Sequence, residues 1–397
     1  MGASWPPLLL LLALSACAPE LPGFHAAAIT NGAPDAADPS VVAIVGPTGI
    51  IGCSGTLIAP HSVLTAAHCR IGRYDGDRVF FGASVQAGGM FADITDAVSQ
   101  PGFDLASFQN DLAILTLRQP GPSAPIALDS RMLDASLVGQ SFDAVGFGET
   151  APGAGDAGQK RIGTATVSAL GANDFTALPM PSQPCESDSG GPALFTVGAN
   201  RYVTGVVSHG DSGCADHAVY ARIDVGLSAF IEPTLTATAP GTAQLGDRCD
   251  YDEQCTSGPC LVAADEPKIS FCSAPCLRAS DCPAKMTCAP DGCRYPTPSP
   301  GALGAACAQP SDCVSGTCYV KKAGAVGVCT ERCIALSAQA CPSGFTCEDS
   351  GGGVDFYCLR APTSGCAMSG AARPSGVAIW FLFCLFGLAL ARPRRAA

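Results

Sequence analysis

The hydrophobic pattern of residues 29–233 consists of short apolar runs separated by turns rich in glycine and proline. Runs of four to eight residues with many Val, Ile and Leu side chains are typical of buried β-strands rather than of helices. The clearest runs are Val41–Val45, 55–58, 63–66, Ala113–Leu117, 144–147, 198–205 and 219–223. Leu227–Ile231 is expected to form a closing helix. The pattern predicts an all-β barrel fold for this part of the chain.

A different pattern begins after residue 233. Residues 234–245 are rich in Thr, Ala, Pro and Gly without an apolar period, and they are predicted to form a linker. Two cysteine-rich repeats follow, 246–294 and 304–360, with a proline-rich linker at 295–303 between them. Each repeat has eight cysteines and hence four disulfides, whose pairing the sequence leaves open. Modules this small need such bridges because they bury little core.

Composition narrows the possible compartments and partners. Of the 23 cysteines, 16 lie in the two repeats, a density that indicates an oxidising compartment. The 5 histidines all precede the repeats, which disfavours a zinc site, and no His-Glu-x-x-His pattern is present, so we expect no metal and no cofactor. His25 and His61 have no motif around them and are expected to be solvated. The net charge of −12 argues against nucleic acid as a partner.

The beginning of the chain has the pattern of an export signal. An apolar run at 6–13 is followed by small residues, which predicts a signal peptide over residues 1–17. The sequence Leu-Ser-Ala-Cys at 14–17 resembles the bacterial lipoprotein box, in which Cys17 would carry lipid. Simple secretion, with a cut after Ala18, is the alternative. Several acyl chains on Cys17 would anchor the protein firmly, whereas one chain would be marginal.

The last segment, 361–397, contains an apolar run at 376–391 followed by several arginines. The run is short for a span of about 20 residues, and its basic end would stay in the cytoplasm. With Cys366 in front of it, the segment resembles the C-terminal sorting tails of myxobacterial surface proteins, and a plain membrane anchor is the alternative. We expect an exported protein at the cell surface or outer membrane, attached through lipid, tail or both, or secreted after tail processing.

The residues richest in chemistry are 183–192, Gln-Pro-Cys-Glu-Ser-Asp-Ser-Gly-Gly-Pro. A serine between an acid and two glycines is typical of a nucleophile on a tight turn, because glycine allows close approach and unusual backbone angles. A serine hydroxyl becomes a good nucleophile only when a base takes its proton. The segments Thr-Ala-Ala-His-Cys at 65–69 and Asn-Asp-Leu-Ala at 110–113 supply the candidate partners, His68 and Asp111.

In sequence and in order, these three segments resemble the His, Asp and Ser motifs of the trypsin/chymotrypsin family of serine proteases. The resemblance covers residues 29–233 and implies two six-stranded antiparallel β-barrels. It also implies a serine endopeptidase that acts on a peptide or protein substrate through an acyl-enzyme. In that mechanism Ser189 attacks, His68 moves the proton, and Asp111 orients the imidazole.

One residue departs from the family at a critical place. Ser187 stands where the family usually has Gly, and its backbone N–H would form the oxyanion hole with that of Ser189. A serine in a backbone conformation suited to glycine is strained. A flipped peptide would remove one donor, at a cost on the order of 100-fold to 1,000-fold in rate. The alternative function is therefore that of a weak or inactive protease-fold adhesin, which binds through the cysteine-rich modules. If the modules do not bind a partner, they are expected to form a stalk.

The resemblance implies a specificity pocket without a buried acid. Gln183 stands at its base, where trypsins have Asp, so nothing there favours Arg or Lys. We expect a small apolar or neutral residue before the cleaved bond. His209 replaces the usual aromatic residue of the pocket wall. The pocket residues are Gln183, Ser208, Gly210 and Ala218, and the implied disulfides pair Cys53 with Cys69 and Cys185 with Cys214.

The resemblance also implies activation by cleavage. Ile29-Thr30-Asn31-Gly32 resembles the mature start of the family, which makes residues 18–28 a propeptide. The new α-amino group of Ile29 would then pair with Asp188 and order the oxyanion turn. Because Ala28 is not basic, the activating protease is not expected to be trypsin-like.

Overall fold

The computed structural model describes residues 29–70, 76–321, 324–333, 341–349 and 356–360. The predicted signal with Cys17, the propeptide and the C-terminal tail lie outside these residues. Within the described ranges, no helix has the length and apolar character that a membrane crossing requires. The chain divides into two compact units, with the boundary between Ala302 and Leu303.

Six antiparallel strands close the first barrel in the order β2-β3-β4-β7-β6-β5. The strand β2 is buried over all five residues because it is an unbroken apolar run. After β4 the chain tightens into a 3-10 turn, Ala67–Arg70. The strands are β2 (Val41–Val45), β3 (Ile51–Ala59), β4 (Ser62–Thr65), β5 (Arg78–Phe81), β6 (Met90–Ser99) and β7 (Ala113–Leu117).

The second barrel has six antiparallel strands in the order β9-β10-β13-β12-β11-β8, and it closes because β8 also pairs with β9. A short strand, β1 (Ala33–Pro34), adds to the outside of β9, and a 3-10 turn, Ala135–Leu137, precedes β8. These two barrels confirm the predicted all-β fold. The strands are β8 (Ser141–Gly146), β9 (Arg161–Leu170), β10 (Asp174–Pro179), β11 (Pro192–Val197), β12 (Asn200–Gly210) and β13 (Ala218–Arg222).

A helical segment follows the second barrel. It consists of α1 (Ile223–Gly226), a π-helical turn (Leu227–Ile231) and α2 (Glu232–Ala237). The helix predicted at Leu227–Ile231 is therefore its middle part, which buries Phe230 and Ile231. The helix α2 occupies the start of the segment 234–245, which was expected to be a linker.

The first cysteine-rich repeat contains two hairpins and four disulfides. Its third and fourth cysteines, Cys260 and Cys272, lie opposite each other at the open end of the first hairpin. The hairpins are β14 (Cys260–Val262) with β15 (Ser270–Cys272) and β16 (Thr287–Ala289) with β17 (Gly292–Arg294), preceded by 3-10 turns at Asp252–Gln254 and Ala279–Asp281. The disulfides are Cys249–Cys260, Cys255–Cys272, Cys276–Cys288 and Cys282–Cys293.

The second repeat, in the other unit, has the same connectivity, first to third, second to fourth, fifth to seventh and sixth to eighth. Each repeat therefore consists of two four-cysteine units, a division that the cysteine spacing alone did not reveal. Its strands are β18 (Ala306–Cys307), β19 (Cys318–Tyr319), β20 (Gly327–Cys329), β21 (Phe345–Asp349) and β22 (Phe356–Arg360), with a 3-10 turn at Pro310–Asp312. Its disulfides are Cys307–Cys318, Cys313–Cys329, Cys333–Cys347 and Cys341–Cys358.

The first repeat packs against the first barrel through His61, in the turn between β3 and β4. The imidazole stacks on the ring of Tyr251 with 3.7 Å between centroids, and its Nε2 lies 3.7 Å from Glu253. The Tyr251 hydroxyl donates to the carbonyl oxygen of Thr238, beyond α2. His61 is only 7% exposed. The expectation that His61 is solvated is wrong, because the repeat covers it.

The contact predicts that Tyr251 stabilises the first barrel. Replacing Tyr251 by Ala removes a buried ring and should cost about 3 kcal/mol or more, lowering the Tm of the barrel in calorimetry. Tyr251→Phe is the matched control, since it keeps the stacked ring and loses only the hydroxyl, which is worth about 1 kcal/mol. An unchanged Tm in Tyr251→Ala would show that the repeat does not support the barrel.

Candidate active site

His68 and Asp111 meet because their strands are paired. His68 lies in the turn after β4, Asp111 lies just before β7, and Thr65 of β4 pairs with Ala113 of β7. The Nδ1 of His68 lies 2.8 Å from Oδ2 of Asp111, and the backbone N–H of His68 donates to Oδ1 at 2.9 Å. Because the carboxylate accepts, Nδ1 carries the proton and Nε2 is left as the basic nitrogen.

Asp111 is held in the ionised form. It is fully buried, and besides His68 it accepts a hydrogen bond from the Ser208 hydroxyl at 2.5 Å. Burial by itself would raise the pKa of this carboxyl. The hydrogen bonds from His68 and Ser208, together with the charge interaction with His68, outweigh burial and lower the pKa below its usual value. The carboxylate can therefore stabilise a positive imidazolium next to it.

Ser189 lies on the turn that leads into β11, and the backbone there is packed too tightly for a side chain at the next residue. A Cβ on Gly190 would lie 2.1 Å from Oγ1 of Thr65 and 2.3 Å from the carbonyl oxygen of Ser54, and Gly190 has a φ of +85°. The carbonyl oxygen of Ser189 accepts the Ser54 N–H at 2.8 Å. Glycine is thus required for the second barrel to approach the first at this point.

Ser189 and His68 border the same disulfide. Cys69 is bonded to Cys53, and its Sγ lies 3.9 Å from Nε2 of His68 and 3.6 Å from the carbonyl oxygen of Ser189. Among the described residues, no hydrogen bond joins the Ser189 hydroxyl to His68. Such contacts are often long before a substrate is bound.

Ser187 adopts the backbone conformation that its position demands. Its φ is +70°, in the left-handed region that favours glycine. In the part of the chain that the structure covers, neither the Ser187 N–H nor the Ser189 N–H donates to another residue. Both N–H groups are therefore available to a ligand.

Asp188 is buried beside Ile29, the residue that the resemblance expects to pair with it after cleavage. Each is only 1% exposed. The carboxylate accepts backbone N–H groups of Gly148 at 2.7 Å, of Cys185 at 2.9 Å and of Ile29. Burial nevertheless raises the pKa of Asp188 to about 7, against the lowering effect of these hydrogen bonds and of Arg161. The amides alone do not balance the charge of this carboxylate.

Gln183 has a fixed orientation. Its Nε2 donates to Oδ1 of Asp211 at 2.8 Å and to the carbonyl oxygen of His217 at 3.0 Å. Its Oε1 is buried and has no hydrogen-bond partner in the described chain. Burial would raise the pKa of Asp211, but hydrogen bonds from the His217 backbone, Gln183 and neighbouring amides together outweigh it and hold the pKa far below its usual range. The amide of Gln183 thus presents an unused acceptor.

Two other expected pocket residues, Gly210 and Ala218, are the chain neighbours of the Asp211 and His217 that Gln183 contacts. Gly210 on β12 lies opposite Ala218 on β13, and a disulfide joins Cys185 to Cys214. The hydroxyl of Ser208, which is also expected to lie in the pocket, donates to Asp111.

Phe108 is a site residue that the sequence analysis missed. Its ring lies edge-on to His68 with 5.6 Å between centroids and stacks on His209 at 4.7 Å. Burial lowers the pKa of His209, which favours the neutral imidazole. Phe108 belongs to no motif, and its closeness to Asp111 in sequence was the only available signal. The two rings give the site an apolar wall next to the base.

Comparison with known proteins agrees with this geometry. A family model described as Trypsin matches residues 29–230 and ends before the cysteine-rich repeats. The chain is 32% identical over 214 residues to "Trypsin" of Saccharopolyspora erythraea, which covers 49% of this chain and 92% of that protein. It is 29% identical over 211 residues to the "Vitellin-degrading protease" of Bombyx mori, covering 47% of this chain and 78% of that protein.

The contacts of Asp111 predict a pH-dependent effect of Ser208. Replacing Ser208 by Ala removes a hydrogen bond to a charged group and should lower the free energy of unfolding by about 1.5 to about 3 kcal/mol at neutral pH. Since the folded pKa of Asp111 is lowered, its stabilisation is present above the ordinary carboxyl pKa and is lost as pH falls through the lowered value.

Denaturant unfolding from neutral to acid pH measures this difference. Ser168→Ala is the control, because Ser168 donates to the neutral carbonyl of Thr176 and should show no such acid dependence. A Ser208→Ala effect that stays constant into acid would contradict the prediction.

Proposed function

The chain belongs to the trypsin family of serine endopeptidases, and from this premise we propose that it is exported, surface-associated and cleaves peptide bonds through Ser189, His68 and Asp111. Its substrates are peptides or proteins. The observation that carries the assignment of roles is the hydrogen bond of 2.8 Å between Nδ1 of His68 and Oδ2 of Asp111. This hydrogen bond leaves Nε2 of His68 as the base. Both Nε2 and Ser189 lie next to the same disulfide.

The proposed reaction uses these groups in two steps. Nε2 of His68 takes the hydroxyl proton of Ser189 as its Oγ attacks the carbonyl carbon, and the imidazolium then gives that proton to the leaving amine. Water hydrolyses the acyl-enzyme by the same route. Asp111, ionised and fully buried, stabilises the imidazolium. The N–H groups of Ser187 and Ser189 would bind the oxyanion.

The conformation of Ser187 supports catalysis over the alternative adhesin function. That alternative depended on a flipped peptide that withdraws one donor. Ser187 has the left-handed φ of +70°, and its N–H donates to no described residue, which suits an oxyanion donor.

We propose that an activating protease cleaves after Ala28. The α-amino group freed on Ile29 would bring a positive charge to Asp188, whose pKa is raised to about 7 while its partners are mainly amides. A cation there would keep the carboxylate ionised and strengthen the turn that carries Ser187 and Ser189.

We propose a small apolar or neutral residue before the cleaved bond. Gln183 supports this preference, because its buried Oε1 has no partner among the described residues and could accept a hydrogen bond from a substrate side chain, but carries no charge to attract Arg or Lys. The nearby carboxylate of Asp211 is already used by Gln183 and by backbone N–H groups.

Export and surface attachment rest mainly on sequence pattern. The ten disulfides of the described residues support an oxidising compartment. The proposed attachment is through lipid on Cys17, through the segment 361–397, or through both, with release after tail processing as the secreted form.

Covalent labelling tests the function. The activated protein should react with a fluorophosphonate probe at Ser189, because a base-assisted hydroxyl attacks phosphorus, and Ser189→Ala should not react. Mass spectrometry of the protein before cleavage after Ala28 reports both termini, where lipid on Cys17 or trimming near Cys366 is expected. Absence of labelling in protein that begins at Ile29 would refute the enzymatic role of Ser189, and unmodified termini would refute surface attachment.

A peptide library tests the pocket. The parent enzyme should cleave after small or neutral residues, and Gln183→Asp should raise cleavage after Arg by about 10-fold or more, the equivalent of one charge-assisted hydrogen bond. Gln183→Asn is the control of equal size without charge and should not gain Arg cleavage. A parent profile dominated by Arg or Lys would overturn the assignment.

A further inference from the structure

Ser54, on β3, connects two segments that approach the nucleophile turn. Its side chain is fully buried. Its Oγ accepts the backbone N–H of Phe147 at 2.9 Å and donates its own proton to the carbonyl oxygen of Ser187 at 3.1 Å. One hydroxyl thus satisfies a buried donor and a buried acceptor that belong to two different segments of the chain.

The peptide between Glu186 and Ser187 is anchored separately. The carbonyl oxygen of Glu186 accepts the N–H of Glu149 at 2.8 Å. In a trans peptide the carbonyl and the N–H point in opposite directions. The anchor on Glu186 therefore directs the Ser187 N–H away from Glu149, and a flipped peptide would break the anchor.

Ser187 is strained, and its side chain and carbonyl are both fixed. Its φ of +70° is unfavourable for a residue with a Cβ. The hydroxyl of Ser187 donates to the carbonyl oxygen of Ile51 at 3.1 Å, while Ser54 holds its carbonyl oxygen. Strained backbone persists only where the surroundings determine it. Rotation of Ser187 into the ordinary region would turn the N–H that the proposed mechanism uses.

We propose that Ser54 is a positioning residue whose hydroxyl holds Ser187 in the left-handed conformation and so keeps the Ser187 N–H directed to the oxyanion. This inference rests on the proposed function. Ser54 acts through Ser187 and contacts no reacting atom. The serine at position 187 is tolerated because the serine at position 54 restrains it.

A double-mutant cycle tests the coupling. Ser54→Ala should lower kcat by about 100-fold to about 1,000-fold, the range for loss of an oxyanion donor, with little change in KM. Ser54→Thr, which keeps the hydroxyl, should retain most of the activity. In the background of Ser187→Gly the Ser54→Ala change should cost much less, because glycine adopts positive φ without strain.

Ser40→Ala is the matched control. The Ser40 hydroxyl is also buried in the first barrel and donates to a backbone carbonyl, that of Ala124, at 2.6 Å. It should leave kcat nearly unchanged. Equal losses of kcat in Ser54→Ala with and without Ser187→Gly, or a loss in Ser40→Ala as large as in Ser54→Ala, would overturn the proposal.

Crystal structures of the parent and of Ser54→Ala give a readout that does not need turnover. Rotation of the Glu186–Ser187 peptide in Ser54→Ala supports the positioning role, and an unchanged peptide overturns it. If neither the parent nor any variant hydrolyses peptides, the proposed function fails. The crystallographic comparison still decides the role of Ser54 in that case.

Discussion

One backbone contact joins the two halves of the site. The Ser54 N–H, on β3 of the first barrel, donates to the carbonyl oxygen of Ser189, which leads into the second barrel. It forms only because Gly190 leaves no Cβ to strike Thr65 or Ser54. His68 and Asp111 lie on the first barrel and Ser189 leads into the second, so the separation of these side chains depends on this close approach.

Buried charge is the second constraint on the site. Asp111 accepts hydrogen bonds from His68 and Ser208 and keeps a lowered pKa. The pKa of Asp188, by contrast, rises to about 7 because burial outweighs its partners, which are mainly backbone amides. The two buried aspartates thus differ in the groups that balance the charge of the carboxylate. The hydrogen bonds and charge interaction of the first outweigh its burial, whereas the mainly amide partners of the second do not. The proposed cleavage after Ala28 would add a positive charge beside the second aspartate.

The sequence predicted those features that depend on neighbouring residues. The strands followed from short apolar runs, and His68, Asp111 and Ser189 were found because each lies within several matching residues. Contacts between distant segments were not predictable in this way. Tyr251 covers His61 from a separate module, and Ser54 reaches Ser187 across 133 positions. Phe108 contacts His68 from a loop without a motif. Such contacts depend on strand register and on module packing, which no local pattern encodes.

The disulfides of the cysteine-rich repeats have a consequence for biogenesis. Among the described cysteines, every bridge of the repeats stays inside one four-cysteine unit, and the sequence separations are only 11 to 17 residues. Each four-cysteine unit can therefore oxidise completely before the next unit of the chain is available, so that few wrong partners are present at any moment. Because each four-cysteine unit contains both partners of its bridges, a whole unit can be duplicated or deleted during evolution without leaving an unpaired thiol.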